Sequence, residues 1–219
     1  MKEAVVLVHG IWRQGREFWL LKRRLMNAGY DCYVFSYPSL RATCAENAQS
    51  LNAFVAQIDA PIVHFVCHSM GGIVLSHAFA QQWHERPGRV VFLGSPVRGS
   101  AVAQRLYQFL PTRPLLGKSI EHGLLGGAPE WSGGRQLGVI VGKFGFGIGT
   151  FVGGLEGPND GTVNLYETTV KKAHDSILLP YSHTGLLYSR EVAGQVITFL
   201  RAGKFGDQLT DPLLDASPT

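Results

Sequence analysis

The chain has 219 residues, of which 45% are hydrophobic and 16% charged, with a net charge of +4 and an isoelectric point near 9.1. That length predicts one domain, 1–219, able to bury a substantial core. Basic runs occur only at Lys22-Arg23-Arg24 and Lys171-Lys172, neither interleaved with aromatic residues. They read as solvated faces, and no nucleic-acid partner is expected. Cys32, Cys44 and Cys67 are odd in number and lack metal or redox spacing, which points to a reducing compartment without a disulfide framework. The first apolar run begins almost at Met1, leaving no space for a signal peptide, and no run reaches membrane-spanning length. The expectation is a cytoplasmic protein with no stable membrane anchor.

Taken in order, Glu3 to His9 is a continuous apolar strand of the kind buried on both faces of a parallel sheet. Arg16 to Ala28 has helical spacing and stops at Gly29. Tyr30 to Tyr37 is a second strand, and Ala45 to Ile58 a second helix striped by Leu51, Phe54, Val55 and Ile58. A third strand opens after Pro61 and runs into Cys67-His68-Ser69-Met70-Gly71-Gly72, followed by helical pattern over Ile73 to Trp83. Arg89 to Gly94 is a fourth strand and Ala101 to Leu110 a short helix. Pro111 to Arg135 loses periodicity, Leu137 to Val141 is a fifth strand, and Gly142 to Gly157 is glycine-rich. Ser176 to Pro180 is the last strand, Leu187 to Leu200 the last helix, and the tail beyond Phe205 is expected to fray. Strands alternating with helices predict an α/β fold, a mostly parallel sheet of about six strands with helices on both faces. Functional groups of such a sheet belong at the carboxyl ends of its strands.

Strand, sharp turn and helix around Ser69 fit a nucleophile elbow, written G-x-S-x-G, in which small neighbours let strand and helix approach. Gly71 fits, and Cys67 stands where glycine is usual. A serine hydroxyl needs a base, and the base needs a carboxylate to fix its tautomer. His84, His122, His174 and His183 lie beyond the elbow helix. His183 follows the last strand and is the candidate base. His174 precedes that strand, His84 reads as a surface residue, and His122 falls in the irregular segment. For the carboxylate, Asp160 follows the fifth strand within Pro158-Asn159-Asp160-Gly161-Thr162. Asp175 falls before the last strand, and Glu156 and Glu130 are more distant. Backbone amides of Met70, after the nucleophile, and of Ile11, in the loop after the first strand, are the candidate oxyanion donors. His9 is expected to brace that loop, and His68 to be structural. No histidine pair has ligand spacing beside a carboxylate, so no metal is expected.

These residues together resemble the α/β-hydrolase superfamily, most closely small bacterial lipases and esterases with little or no lid. Val8-His9-Gly10-Ile11 is similar to their oxyanion loop and His68-Ser69-Met70-Gly71-Gly72 to their elbow. His183 to Ser189 is similar to the segment bearing their catalytic histidine. Asn159-Asp160-Gly161-Thr162-Val163 looks like their acid-bearing loop, and Gly94 to Ser100 like a loop lining their pocket. The resemblance implies cofactor-free hydrolysis of a small ester or lipid through an acyl-enzyme. Acyl transfer, thioester cleavage and amide cleavage by the same groups stay open, as does a non-catalytic binding role for the fold. Trp12-Arg13-Gln14 and the long stretch 111–157 depart from the minimal members. That irregular stretch is expected to form a pocket or flap, with Trp12, Pro96, Phe144, Phe146 and Phe151 as pocket candidates.

Overall fold

The computed structural model describes residues 3–81, 86–132 and 134–206. Its core is one six-stranded, all-parallel sheet built from β1 (Ala4–Val8), β2 (Asp31–Phe35), β3 (Val63–His68), β4 (Val90–Leu93), β5 (Leu137–Gly142) and β6 (Asp175–Leu179). The strand order is β2-β1-β3-β4-β5-β6. Every residue of β1, β3, β4 and β5 is buried, which is why their sequences run apolar without alternation. The edge strand β2 alternates exposed and half-buried positions over most of its length.

Helices α2 (Cys44–Ala56), α3 (Met70–Gln81) and α4 (Ala101–Gln108) cover one face, packing on Val6, Val8, Phe65, Phe92 and Val139. Helices α1 (Trp19–Asn27), α6 (Gly185–Tyr188) and α7 (Arg190–Ala202) cover the other, over Val5, Leu7, Val66, Val91 and Ile140. Period-two alternation along each strand divides the side chains between these two cores. Thr43 opens α2 with a reciprocal capping box to Glu46, a worthwhile local signal for where that helix starts.

Three expectations need correction. The elbow helix begins at Met70, immediately after the serine, rather than at Ile73. The last helix is two helices, because Ser189 takes an extended ψ of 138° and caps Val192 with its hydroxyl. The irregular stretch after α4 holds two short 3-10 turns, Leu110–Leu115 and Gly117–Ile120, and the glycine-rich segment carries α5 (Ile148–Val152). The expected helix end at Trp83, the surface reading of His84 and the tail beyond Gly206 lie outside the described residues. Among the described residues no helix is long and apolar enough to cross a membrane.

Candidate active site

Ser69 joins β3 directly to α3 with φ of +54°, a left-handed conformation that costs a non-glycine residue about 1–2 kcal/mol. Its N–H is tied to the Leu93 carbonyl of β4 at 2.9 Å, so the strain is held by the sheet. The turn demands glycine two residues on. A Cβ at Gly71 would run into the carbonyl oxygen of Val8 in β1. Cys67, two residues before the serine, is fully buried in the α2–α3 core, and burial pushes its thiol well above the ordinary value. The small side chain therefore acts as packing, tolerated where glycine was expected. Ser69 sits on the floor of a cleft rather than at an open apex, only 7% exposed.

Asp160 is fully buried, at the carboxyl end of β5, where a Cβ at Gly142 would lie 2.8 Å from its own Cβ. One carboxylate oxygen accepts the N–H groups of Thr162 (3.0 Å) and Val163 (2.7 Å). The other lies 2.6 Å from Nδ1 of His183. The His183 N–H also donates to the Asp160 carbonyl at 2.8 Å, so loop and histidine are locked through both main chain and side chain. Gly94, with φ of +55°, follows β4 directly beneath this pair. A Cβ there would come within 2.9 Å of the Asp160 carboxylate and 3.1 Å of the His183 ring. With Asp160 as acceptor, Nδ1 of His183 carries the proton and Nε2 is left unprotonated. Among the described residues no hydrogen bond joins the Ser69 hydroxyl to that ring.

Two further histidines brace the constellation. His9 stacks on Tyr37 with ring centroids 4.1 Å apart. Its Nε2 accepts the Tyr37 N–H, which fixes Nδ1–H as the donor to the Gly10 carbonyl at 2.8 Å. Tyr37 in turn donates its hydroxyl to the His9 carbonyl. The loop thus held carries Ile11 and Trp12 past the serine, and a Cβ at Gly10 would lie 2.8 Å from that of Ser69. The Trp12 N–H is taken by the Ser39 hydroxyl at 3.2 Å. Among the described residues nothing takes the N–H of Ile11, nor that of Met70, which opens α3 and so has no intrahelical acceptor. His68 donates Nε2–H to the His183 carbonyl at 3.0 Å, and the two rings lie 4.5 Å apart. Its Nδ1 is buried without a partner.

Burial holds His9, His64 and His77 below the ordinary histidine value, and His68 well below it. All four are therefore neutral in the fold near neutral pH, while the unfolded chain takes up protons as pH falls below about 6.5. The unfolded state then binds more protons, so stability is retained above that value and lost below it. The slope reaches about 1.4 kcal/mol per pH unit for each histidine. Urea midpoints at about pH 7.5 and about pH 5.5 should differ, with the lower midpoint at the lower pH.

The cleft above Ser69 is lined by Ile11, Trp12, Pro96, Val102, Leu106, Leu116, Leu124, Ile148 and Val163. Trp12 and Pro96 thus stand where expected. Phe144, Phe146 and Phe151 do not line it and are exposed. The segment is pinned elsewhere: Gly147 lies on Gly161 and Gly149 on Leu155, which turns Ile148 to the cleft and leaves the three rings outside. His174 and Asp175 are bonded at the opposite sheet edge, to Leu137 and Phe205. His122 offers its carbonyl to His77. Glu156 and Glu130 are exposed.

One residue escaped the sequence reading. Glu167 is 1% exposed, and burial raises its carboxyl above the ordinary range. It accepts the N–H of Ala101 at 2.6 Å and of Asn164 at 2.9 Å, fastening the start of α4 to the Asp160 loop. The signal was present, since Asn164-Leu165-Tyr166-Glu167 has the spacing of a capping box. Among the described residues, no three His, Cys, Asp or Glu side chains are grouped to hold a metal ion.

Comparison with known proteins agrees with this architecture. The sequence profile of the alpha/beta hydrolase family matches residues 5–194. No curated protein matches the chain. Among solved structures, a lipase of Bacillus licheniformis in its mature form is similar, with a TM-score of 0.68 at 16% identity over 92% of each chain. A metagenomic carboxyl esterase is similar over 83% of this chain and 64% of its own, with a TM-score of 0.59 at 17% identity. A phospholipase of Legionella pneumophila matches 77% of this chain and 44% of its own, with a TM-score of 0.63 at 18% identity. At such identities these likenesses speak to the fold. On the profile match and on its six-stranded parallel sheet, the chain belongs to the alpha/beta hydrolase family.

Proposed function

We propose that the protein is a carboxylic ester hydrolase working through Ser69, His183 and Asp160. The observation that carries this reading is the buried Asp160–His183 hydrogen bond of 2.6 Å at the sheet edge that holds Ser69 in a left-handed turn. Nε2 of His183 takes the Ser69 proton as Oγ bonds to the ester carbonyl carbon. The developing oxyanion is received by the N–H groups of Ile11 and Met70, the latter at the positive end of the α3 dipole. As the tetrahedral intermediate collapses, the ester C–O bond breaks and His183 returns the proton to the departing alcohol. Water then attacks the acyl-serine, giving its proton to His183. Collapse releases the carboxylic acid, and the proton passes back to Ser69. Asp160 holds the ring orientation and stabilises the imidazolium at each stage.

The aliphatic side chains of the cleft support an apolar acyl or alkyl group over a charged one. The same machinery serves thioesters or an alcohol acceptor in place of water, and the geometry gives neither of these an advantage. A series of p-nitrophenyl esters from acetate to palmitate tests the reading. Turnover of these esters by folded wild-type protein is the expected result. No turnover at any chain length would remove ester hydrolysis as the activity.

A further inference from the structure

We propose that the mouth of the cleft is a docking surface for an anionic phospholipid bilayer. All six strands are parallel, so the loops leaving their carboxyl ends share one edge of the molecule. Three segments form the rim there: 12–16 after β1, 105–118 at the end of α4, and 143–155 after β5. They are contiguous around the cleft. Trp12, Leu106, Leu116 and Ile148 all line it, and the Trp12 indole N–H bonds the Leu115 carbonyl. Outward from the cleft, Phe109, Leu110, Leu115, Phe146 and Phe151 project to solvent, Phe151 at 80% and Leu110 at 68% exposure.

A large apolar patch at a solvent-facing edge marks an interaction site. Charge names its partner. The three segments contain Arg13, Arg16, Arg105, Arg113, Lys118 and Lys143 and no aspartate or glutamate, and of the acids that bound them Glu17 is buried while Glu121 and Glu156 are exposed. A rim of aromatic and aliphatic side chains interspersed with cations suits insertion just below anionic headgroups, which the cations then meet. A second copy of this chain would bring like charges together across the interface, and an uncharged surface would leave them unused. Docking depends on this rim and not on bond cleavage at Ser69, so it stands apart from the hydrolase reading.

The test is sedimentation of sucrose-loaded vesicles, either pure phosphatidylcholine or with about 30 mol% phosphatidylglycerol, in about 0.1 M salt. Wild-type and Ser69→Ala proteins are expected to sediment equally with the anionic vesicles and at least about tenfold more weakly with the neutral ones. Each lost cation is expected to weaken binding about fivefold, so Arg105→Gln with Arg113→Gln should lose about 25-fold. Phe109→Ser with Leu110→Ser should weaken it about tenfold or more while turnover of a soluble short-chain ester is unchanged. Absence of sedimentation by folded protein would overturn the proposal. So would equal binding to both vesicle types, or indifference to both double variants. Light scattering that shows a dimer dissolved by the Phe109/Leu110 variant would assign the surface to a second copy instead.

Discussion

Replacing Ser69 with alanine is expected to lower ester turnover by roughly 10⁴- to 10⁶-fold and leave the fold intact. The activity loss follows because no other hydroxyl occupies the turn between β3 and α3. The fold survives because the Ser69 side chain makes no hydrogen bond among the described residues, so its removal strands no partner. Stability should stay within about 0.5 kcal/mol. Glycine at the same position should be equally inactive yet at least as stable as wild type, because it adopts φ of +54° without the left-handed penalty. Thermal denaturation of the three proteins beside their ester kinetics checks both claims. A Ser69→Gly protein that melts well below wild type would show that the turn stores no strain.

The second large effect is at Asp160. In an Asp160→Asn protein the amide would keep its one oxygen for the N–H groups of Thr162 and Val163, so its nitrogen would face Nδ1 of His183. That nitrogen donates, and the ring must then accept at Nδ1 and carry its proton on Nε2, where it cannot deprotonate Ser69. A loss of about 10⁴ in kcat is expected, with KM changed little. Asp175→Asn should leave kcat unchanged, since that carboxylate serves Ser176 and Phe205 at the far edge of the sheet. If Asp175→Asn abolishes turnover while Asp160→Asn does not, the carboxylate has been assigned wrongly.

How much of this could be read from residues alone depends on how local the cause is. The buried strands were legible because residues such as Val5 to Val8 are apolar on both faces, which only a covered parallel strand explains. The elbow was legible for a steric reason, Gly71 having no room for a Cβ beside Val8. Chain order put Asp160 and His183 after β5 and β6, and their side chains do meet there. The break at Ser189 was hidden by apolar spacing that continues through it, although a serine three residues before Val192 is a cap signal. The orientation of Phe144, Phe146 and Phe151 had no local signature, because it follows from where Gly147 and Gly149 pack on distant chain. Exposed aromatics and core aromatics look alike in sequence when the backbone around them is glycine. Glu167 shows the reverse case, a local motif whose importance lies in the long-range bond to Ala101.

The most direct measurement is to treat the folded protein with a fluorophosphonate and locate the adduct by peptide mass spectrometry. One phosphonyl group is expected, on Ser69, formed concurrently with loss of esterase activity and absent from Ser69→Ala. An adduct on another residue, or no adduct in protein that still hydrolyses esters, would contradict that assignment.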